Sequence, residues 1–128
     1  MRQRPLSPHL GIYRFAYTMA TSIAHRISGL VLTAGFALLT YGLVAIASGP
    51  ESYATAQYVF GHAVVKLIVA GWLLAFCYHL FNGLRHLNWD LGRGLEKPEA
   101  RRSARYVVVA TLILFVVLAA LAFARGAA

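Results

Sequence analysis

Three long apolar segments constrain the fold of this chain more than any other feature. They cover about residues 27–48, 63–84 and 106–124, and each reaches the roughly 20 residues that a helix needs to cross a bilayer. The chain is 59% hydrophobic and 12% charged, whereas about a quarter of an average soluble domain is charged. A single 128-residue domain cannot bury that much apolar surface in its own core. The sequence therefore predicts an all-α membrane protein with three transmembrane helices.

The basic residues predict the orientation of these helices. Of the twelve Lys and Arg residues, ten lie before the first span or between the second and third; the exceptions are Lys66 and Arg125. Because cytoplasmic segments carry the excess of Lys and Arg, residues 1–26 are predicted to be a cytoplasmic N-terminal segment and the C-terminus to be external. The net charge of +8 thus reflects helix flanks rather than a nucleic-acid surface.

A polar group precedes the first apolar run, in the stretch TSIAHRISG. If the helix already includes it, Ser22, His25 and Arg26 share one face, and Gly29 allows another group to approach the backbone closely. Taken alone, the segment favours a headgroup anchor at Arg26 and a serine bonded to its own helix. The alternative is an anion or quinone-carbonyl site, since a hydroxyl beside a guanidinium suits an oxygen that gains negative charge.

A second polar group, YHLFNGLRHLNWD, ends the second apolar segment. His79 lies five residues before Leu84, about 7–8 Å inside the predicted span. An unpartnered imidazole there is costly, so a metal or a strong hydrogen bond is expected. Gly83 on the same face makes room for a flat ligand such as haem, with His79 as an axial ligand. His86 is expected at the water interface, where Arg85 and His86 could meet haem propionates or headgroups; Asp90 could pair with Arg85 or Arg93.

Other interpretations of His79 stay open on these residues alone. A lone membrane histidine is more often a hydrogen bond between helices than a haem ligand. The chain has one cysteine, Cys77, and no CxxCH motif, which excludes covalent c-type attachment. His25 is the one candidate for a second axial ligand, but it is predicted to lie too near the surface. The second ligand is therefore expected from another chain.

Two motifs carry a resemblance to a known family. They are RPLSPHLGIYRFAYTMATSIAHRIS over residues 4–28 and HLFNGLRHLNWDLG over residues 79–92. Both match without a gap the signatures of the large membrane-anchor subunits, the cytochrome b556 subunits, of succinate dehydrogenase (succinate:quinone oxidoreductase, complex II). The chain resembles this family over essentially its whole length. The predicted three-span topology with a cytoplasmic N-terminus matches as well.

The resemblance implies roles for individual residues. His79 would be the axial ligand of haem b, whose other axial histidine would come from the small membrane-anchor subunit. Ser22 and Arg26 would bind ubiquinone, with His25 and Arg26 near the haem propionates. Gly83 and His86 would support the haem.

The resemblance also implies partners, localisation and function. An iron–sulfur subunit and a flavoprotein subunit would dock on the cytoplasmic side, so this chain would be a non-flavin subunit of an enzyme that passes electrons from succinate to quinone. With no evident transit peptide, a bacterial inner membrane is expected rather than a mitochondrial one. The alternatives are a haem-free anchor of a fumarate reductase, a structural membrane subunit, or a small multidrug-type transporter. His79 with Gly83 disfavours the first, and the lack of a mid-membrane carboxylate disfavours the last.

Overall fold

The computed structural model describes residues 16–126, which form four helices in the order α1 Tyr17–Ala47, α2 Pro50–Gly61, α3 Ala63–Asp90 and α4 Lys97–Gly126. Helices α1, α3 and α4 are each long and apolar enough to cross a membrane. Helix α3 packs against both α1 and α4, and α1 also contacts α4. The expected all-helical architecture with three apolar helices is confirmed.

The short helix α2 lies in the segment that the sequence marked only as a connector. Gly49, with φ of 103°, makes the turn after α1, and Pro50 begins α2, a position where its missing N–H costs no helical hydrogen bond. His62 is extended, with ψ of 134°, and separates α2 from α3. His62 also makes an edge-on contact with Tyr58, at a centroid distance of 5.4 Å.

All three long helices continue beyond their apolar spans at the basic end of the bundle. Helix α1 begins ten residues before Ile27, α3 continues six residues past Leu84, and α4 begins nine residues before Tyr106. No glycine or proline interrupts residues 17–26, so the helix extends through the polar group there. At the other boundary Gly92 and Gly94 have φ near 72° and 73°, and α3 ends before them, because glycine readily adopts the left-handed conformation that follows a helix C-terminus.

Small and polar residues fill the interior, while large apolar side chains face outward. Ala104 and Cys77 are fully buried, whereas Leu30 and Leu67 are 72% and 73% exposed. In water such an arrangement would be unstable, but in a bilayer small residues allow helices to approach closely and apolar residues contact lipid. The burial pattern therefore supports residence in a membrane independently of the hydropathy.

Gly35 of α1 and Trp72 of α3 form a close contact between the two helices at one of these small residues. The Trp72 indole N–H donates to the Leu32 carbonyl at 3.3 Å, and the ring occupies the space that a Cβ at Gly35 would need. Trp72 thus packs against α1 rather than pointing only to lipid.

Gly35→Ala should therefore destabilise the protein by about 1–3 kcal/mol, because the Trp72 ring must move and an overpacked interior does not adapt freely. Gly71→Ala is the matched control: its added Cβ meets nothing within 4 Å, and alanine is the better helix former. Thermal unfolding of the detergent-solubilised complex compares the two variants. Equal melting temperatures would show that the Trp72 contact is not tight.

Candidate functional site

Three histidines stack at the basic end of the bundle. The ring of His25, from α1, lies between two rings from α3: its centroid is 4.0 Å from that of His79 and 4.9 Å from that of His86, with interplanar angles of 13° and 16°. His79 and His86 are seven residues apart and therefore project from nearly the same side of α3. The insertion of His25 between them joins the two polar groups that the sequence singled out.

The order of the stack agrees with the predicted depth of His25, nearer to the surface than His79. His86 is seven residues, about 10 Å, nearer to the basic end of α3 than His79, so the His25 ring between them lies closer to that end than the His79 ring does. The orientation of the His25 and His79 rings does not suit two axial ligands of one metal either. Axial imidazoles point a nitrogen at the metal from opposite sides, whereas these two rings present their faces to each other.

Ser28 holds one edge of the His79 ring. The serine Oγ is 3.0 Å from His79 Nδ1 and 2.7 Å from the carbonyl oxygen of His25, and Ser28 is buried. A Cβ added at Gly29 would lie 3.2 Å from His79 Cε1. The expectation that Gly29 lets another group approach the α1 backbone is thus confirmed, and that group is His79.

The His25 ring has one nitrogen without a partner. Its Nδ1 is buried and makes no hydrogen bond to any residue of the described chain. Buried polar atoms are almost always hydrogen-bonded in proteins, so an exception calls for a reason such as a missing ligand. His86 differs, because its Nδ1 lies 2.7 Å from the Asn82 carbonyl oxygen and donates to it.

Ser22 and Arg26 lie on α1, and neither contacts a polar partner among residues 16–126. Ser22 is half-buried and Arg26 is exposed, and neither forms a hydrogen bond or an ion pair with another residue in the described range. The expected alternative, in which Ser22 bonds back to its own helix, is not observed; Thr21 and Ser28 do so instead, each to the carbonyl three residues before it. A hydroxyl and a guanidinium are therefore available one turn from the histidine stack.

Gly83 faces the stack. A Cβ placed there would lie 3.9 Å from Cε1 of His25, an ordinary van der Waals distance. The glycine is therefore beside the histidines, as its position four residues after His79 predicts. Tight packing within the described residues does not itself require a glycine there.

The position of Arg85 differs from the expectation. The sequence placed it at the water interface, facing propionates, headgroups or Asp90, but it is 6% exposed and points into the bundle. Its guanidinium donates to the Ser103 hydroxyl, the Thr21 hydroxyl, the Asn82 side-chain oxygen and the Ala100 carbonyl, at 3.0, 3.2, 3.2 and 2.9 Å. Neither Arg85 nor Arg93 forms an ion pair with Asp90 in the structure of residues 16–126. Neutral oxygens from three helices thus satisfy a buried cation.

Sequence reasoning missed two elements of this site. Ser28 lies within the first polar stretch, TSIAHRISG, but was given no role, and Asn82 was not considered, although it is fully buried and accepts from Arg85. The signal for both was a hydrogen-bonding side chain at the end of an apolar run, where such groups need partners. Within residues 16–126 no three His, Cys, Asp or Glu side chains converge to bind a metal ion by themselves.

Three apolar helices with inward-facing small residues and a histidine stack at one end define a multi-pass helical membrane protein. Residues 1–118 match the succinate dehydrogenase/fumarate reductase transmembrane subunit family, and the chain belongs to that family. It is 42% identical to the succinate dehydrogenase cytochrome b556 subunit of Paracoccus denitrificans, over 88% of this chain and 87% of that protein. The resemblance inferred from the two motifs is confirmed.

Further relatives come from mitochondria and bacteria. The human mitochondrial succinate dehydrogenase cytochrome b560 subunit is 38% identical over 92% of this chain and 71% of its own length. The cytochrome b556 subunit of Rickettsia prowazekii is 31% identical over 91% of this chain and 90% of its own length. The relatives are thus subunits of an oxidoreductase, and the chain is a membrane-anchor subunit of the cytochrome b kind.

Proposed function

We propose that this chain binds haem b through His79 and forms part of a ubiquinone-reducing site with Ser22 and Arg26. One observation carries the proposal: the α1 turn that bears Ser22 and Arg26 also bears His25, whose ring is in contact with His79 at 4.0 Å. A quinone held at that turn and a haem held by His79 would therefore be neighbours. The protein would then complete the path of electrons from succinate to quinone.

The residues around His79 fit a haem. Its Nδ1 edge is held by Ser28 and lies against Gly29, so a metal would bind at Nε2. The unpartnered Nδ1 of His25 is suited to a polar group such as a propionate, and His86 and Gly83 border the same space. When bound, haem iron supplies one-electron chemistry.

The second axial ligand is proposed to come from the small membrane-anchor subunit. His25 stacks face to face on His79 and cannot oppose it across a metal in that orientation. The large apolar side chains that cover the outside of α1 and α3 are compatible with another helical subunit as well as with lipid.

Ser22 and Arg26 suit a quinone because of what a carbonyl oxygen becomes on reduction. The oxygen gains negative charge, and the fixed positive charge of Arg26 stabilises it more than it stabilises the oxidised form. The Ser22 hydroxyl can donate to the same oxygen or to its neighbour, since the two residues are four apart on one helical face. Both groups lack partners among the described residues and so need not break a bond to bind.

The wider assembly follows from the family and from the charge distribution. We propose that an iron–sulfur subunit and a flavoprotein subunit dock at the basic end, that the N-terminus is cytoplasmic, and that the complex resides in a bacterial inner membrane. The positive-inside bias supports the orientation, and the bacterial relatives support the membrane. Succinate oxidation would then take place in the flavoprotein subunit, with no succinate-oxidising site in this chain.

The quinone site is tested by Arg26→Leu and Ser22→Ala. Hydrogen bonds to charged groups contribute about 1.5–3 kcal/mol and neutral ones about 0.5–1.5 kcal/mol. Quinone reduction by the purified complex should therefore fall roughly 10- to 100-fold for Arg26→Leu and a few-fold for Ser22→Ala. Succinate oxidation measured with a water-soluble dye should be unchanged in both.

Arg93→Leu is the matched control, because Arg93 is exposed in the connector between α3 and α4, at the same end of the bundle. It should leave both activities unchanged. Full quinone reduction by the Arg26→Leu complex would exclude Arg26 from the site.

A further inference from the structure

We infer that Ser28 is a positioning residue for the haem ligand: its hydroxyl accepts a hydrogen bond from His79 Nδ1, which fixes the tautomer of His79 and directs Nε2 to the iron. The inference deepens the proposed function and rests on its assignment of His79. It concerns a side chain of α1 that lies 51 residues from the histidine in sequence.

The direction of the hydrogen bond follows from counting protons. The Ser28 hydroxyl has one proton and lies near two groups, the His25 carbonyl oxygen at 2.7 Å and His79 Nδ1 at 3.0 Å. A carbonyl oxygen can only accept, so the bond between Ser28 and His25 requires the serine proton. The serine oxygen must then accept from His79, and Nδ1 must carry the hydrogen.

The tautomer decides which nitrogen can bind iron. A neutral imidazole carries one N–H, so a proton on Nδ1 leaves the lone pair on Nε2. Gly29 supports the same orientation independently, because the α1 backbone lies against the Nδ1–Cε1 edge of the ring, with only 3.2 Å between His79 Cε1 and the position of a Cβ at residue 29. Nδ1 is thus turned toward α1 and is inaccessible to a metal.

The hydrogen bond should also affect the iron. An N–H that donates to an acceptor makes the other nitrogen of the imidazole a stronger electron donor, and such partners orient metal-bound histidines in many proteins. A stronger donor stabilises the ferric form over the ferrous form. Ser28 should therefore strengthen haem binding and lower the midpoint potential of the haem.

The test uses Ser28→Ala in the assembled complex, with Thr33→Ala as the matched control. Thr33 also lies on α1, but its hydroxyl bonds only to the Gly29 carbonyl of its own helix, at 3.0 Å. Haem affinity is measured as the rate of transfer to apomyoglobin, and the midpoint potential by optical redox titration. For Ser28→Ala we expect about 10-fold weaker haem retention and a higher potential; Thr33→Ala should match the wild type in both.

A second pair of variants separates the hydrogen bond from packing. Ser28→Thr and Ser28→Val have the same shape, but only threonine keeps the hydroxyl. The potential of Ser28→Thr should be close to that of the wild type, and the potential of Ser28→Val should be raised; this pair decides the question if Ser28→Ala does not assemble. Equal potentials and equal haem retention in the two members of this pair, or wild-type values in Ser28→Ala, would overturn the role of Ser28. A wild-type complex without haem, or a His79→Ala complex that keeps it, would instead overturn the proposed function.

Discussion

The His79→Ala complex is expected to lack the α band of haem b in its reduced-minus-oxidised visible spectrum. In the proposed site the His79 imidazole would supply a bond to the iron that alanine cannot make, and among residues 16–126 the two neighbouring histidines are otherwise engaged. His25 presents its face to His79 rather than a nitrogen, and Nδ1 of His86 is already bonded to the Asn82 carbonyl. The loss of haem should therefore be essentially complete.

Two other histidine variants make this result specific. His62→Ala removes an exposed ring at the opposite end of α3 and should leave the spectrum unchanged. His86→Ala should weaken or shift the band but not abolish it, because His86 is assigned to the support of the haem. If His86→Ala lost the band and His79→Ala kept it, the axial ligand would have been assigned to the wrong member of the pair.

Arg85→Met should give the largest loss of stability among single substitutions in α3. The side chain is buried, and its guanidinium connects α3 to α1 through Thr21 and to α4 through Ser103 and Ala100. Each buried acceptor left without a donor costs about 1–3 kcal/mol, so the loss of several should exceed about 3 kcal/mol. That is a large part of the 5–15 kcal/mol typical of a folded domain.

The loss is measured as thermal unfolding and as the yield of assembled complex. Arg93→Met is the control, since it removes the same charge from an exposed position and should change neither quantity. Arg85→Lys should not restore stability, because an ammonium cannot reach acceptors on three helices as the planar guanidinium does. A stable Arg85→Met complex would show that the network is not needed for assembly.

Arg85 also shows the limit of interpreting a polar residue by its distance from an apolar boundary. Its position one residue past the predicted end of the second span, 63–84, predicted a headgroup or propionate contact. The structure instead turns it toward Thr21 and Ser103. Which side of a helix faces a neighbour depends on how the helices are rotated against each other, and the sequence of α3 alone does not contain that rotation.

The sequence by itself determined the features that depend on local composition. Apolar length gave three membrane helices, the distribution of Lys and Arg marked one end as basic, and helical spacing grouped Ser22 with Arg26 and His79 with Gly83. These inferences work because hydrophobic transfer and helical periodicity act within one segment. The two motifs were sufficient to identify the family.

Only the tertiary structure decided how these groups meet. It inserted the His25 ring between those of His79 and His86 and directed Arg85 inward. It also placed Ser28 so that its hydroxyl donates to a carbonyl oxygen and accepts from His79. The register of α1 against α3 is set by contacts such as the hydrogen bond that the Tyr78 hydroxyl donates to the Thr21 carbonyl, at 2.7 Å and between residues 57 apart in sequence. Such contacts form only when the helices pack, because no local pattern encodes the alignment of one helix with another.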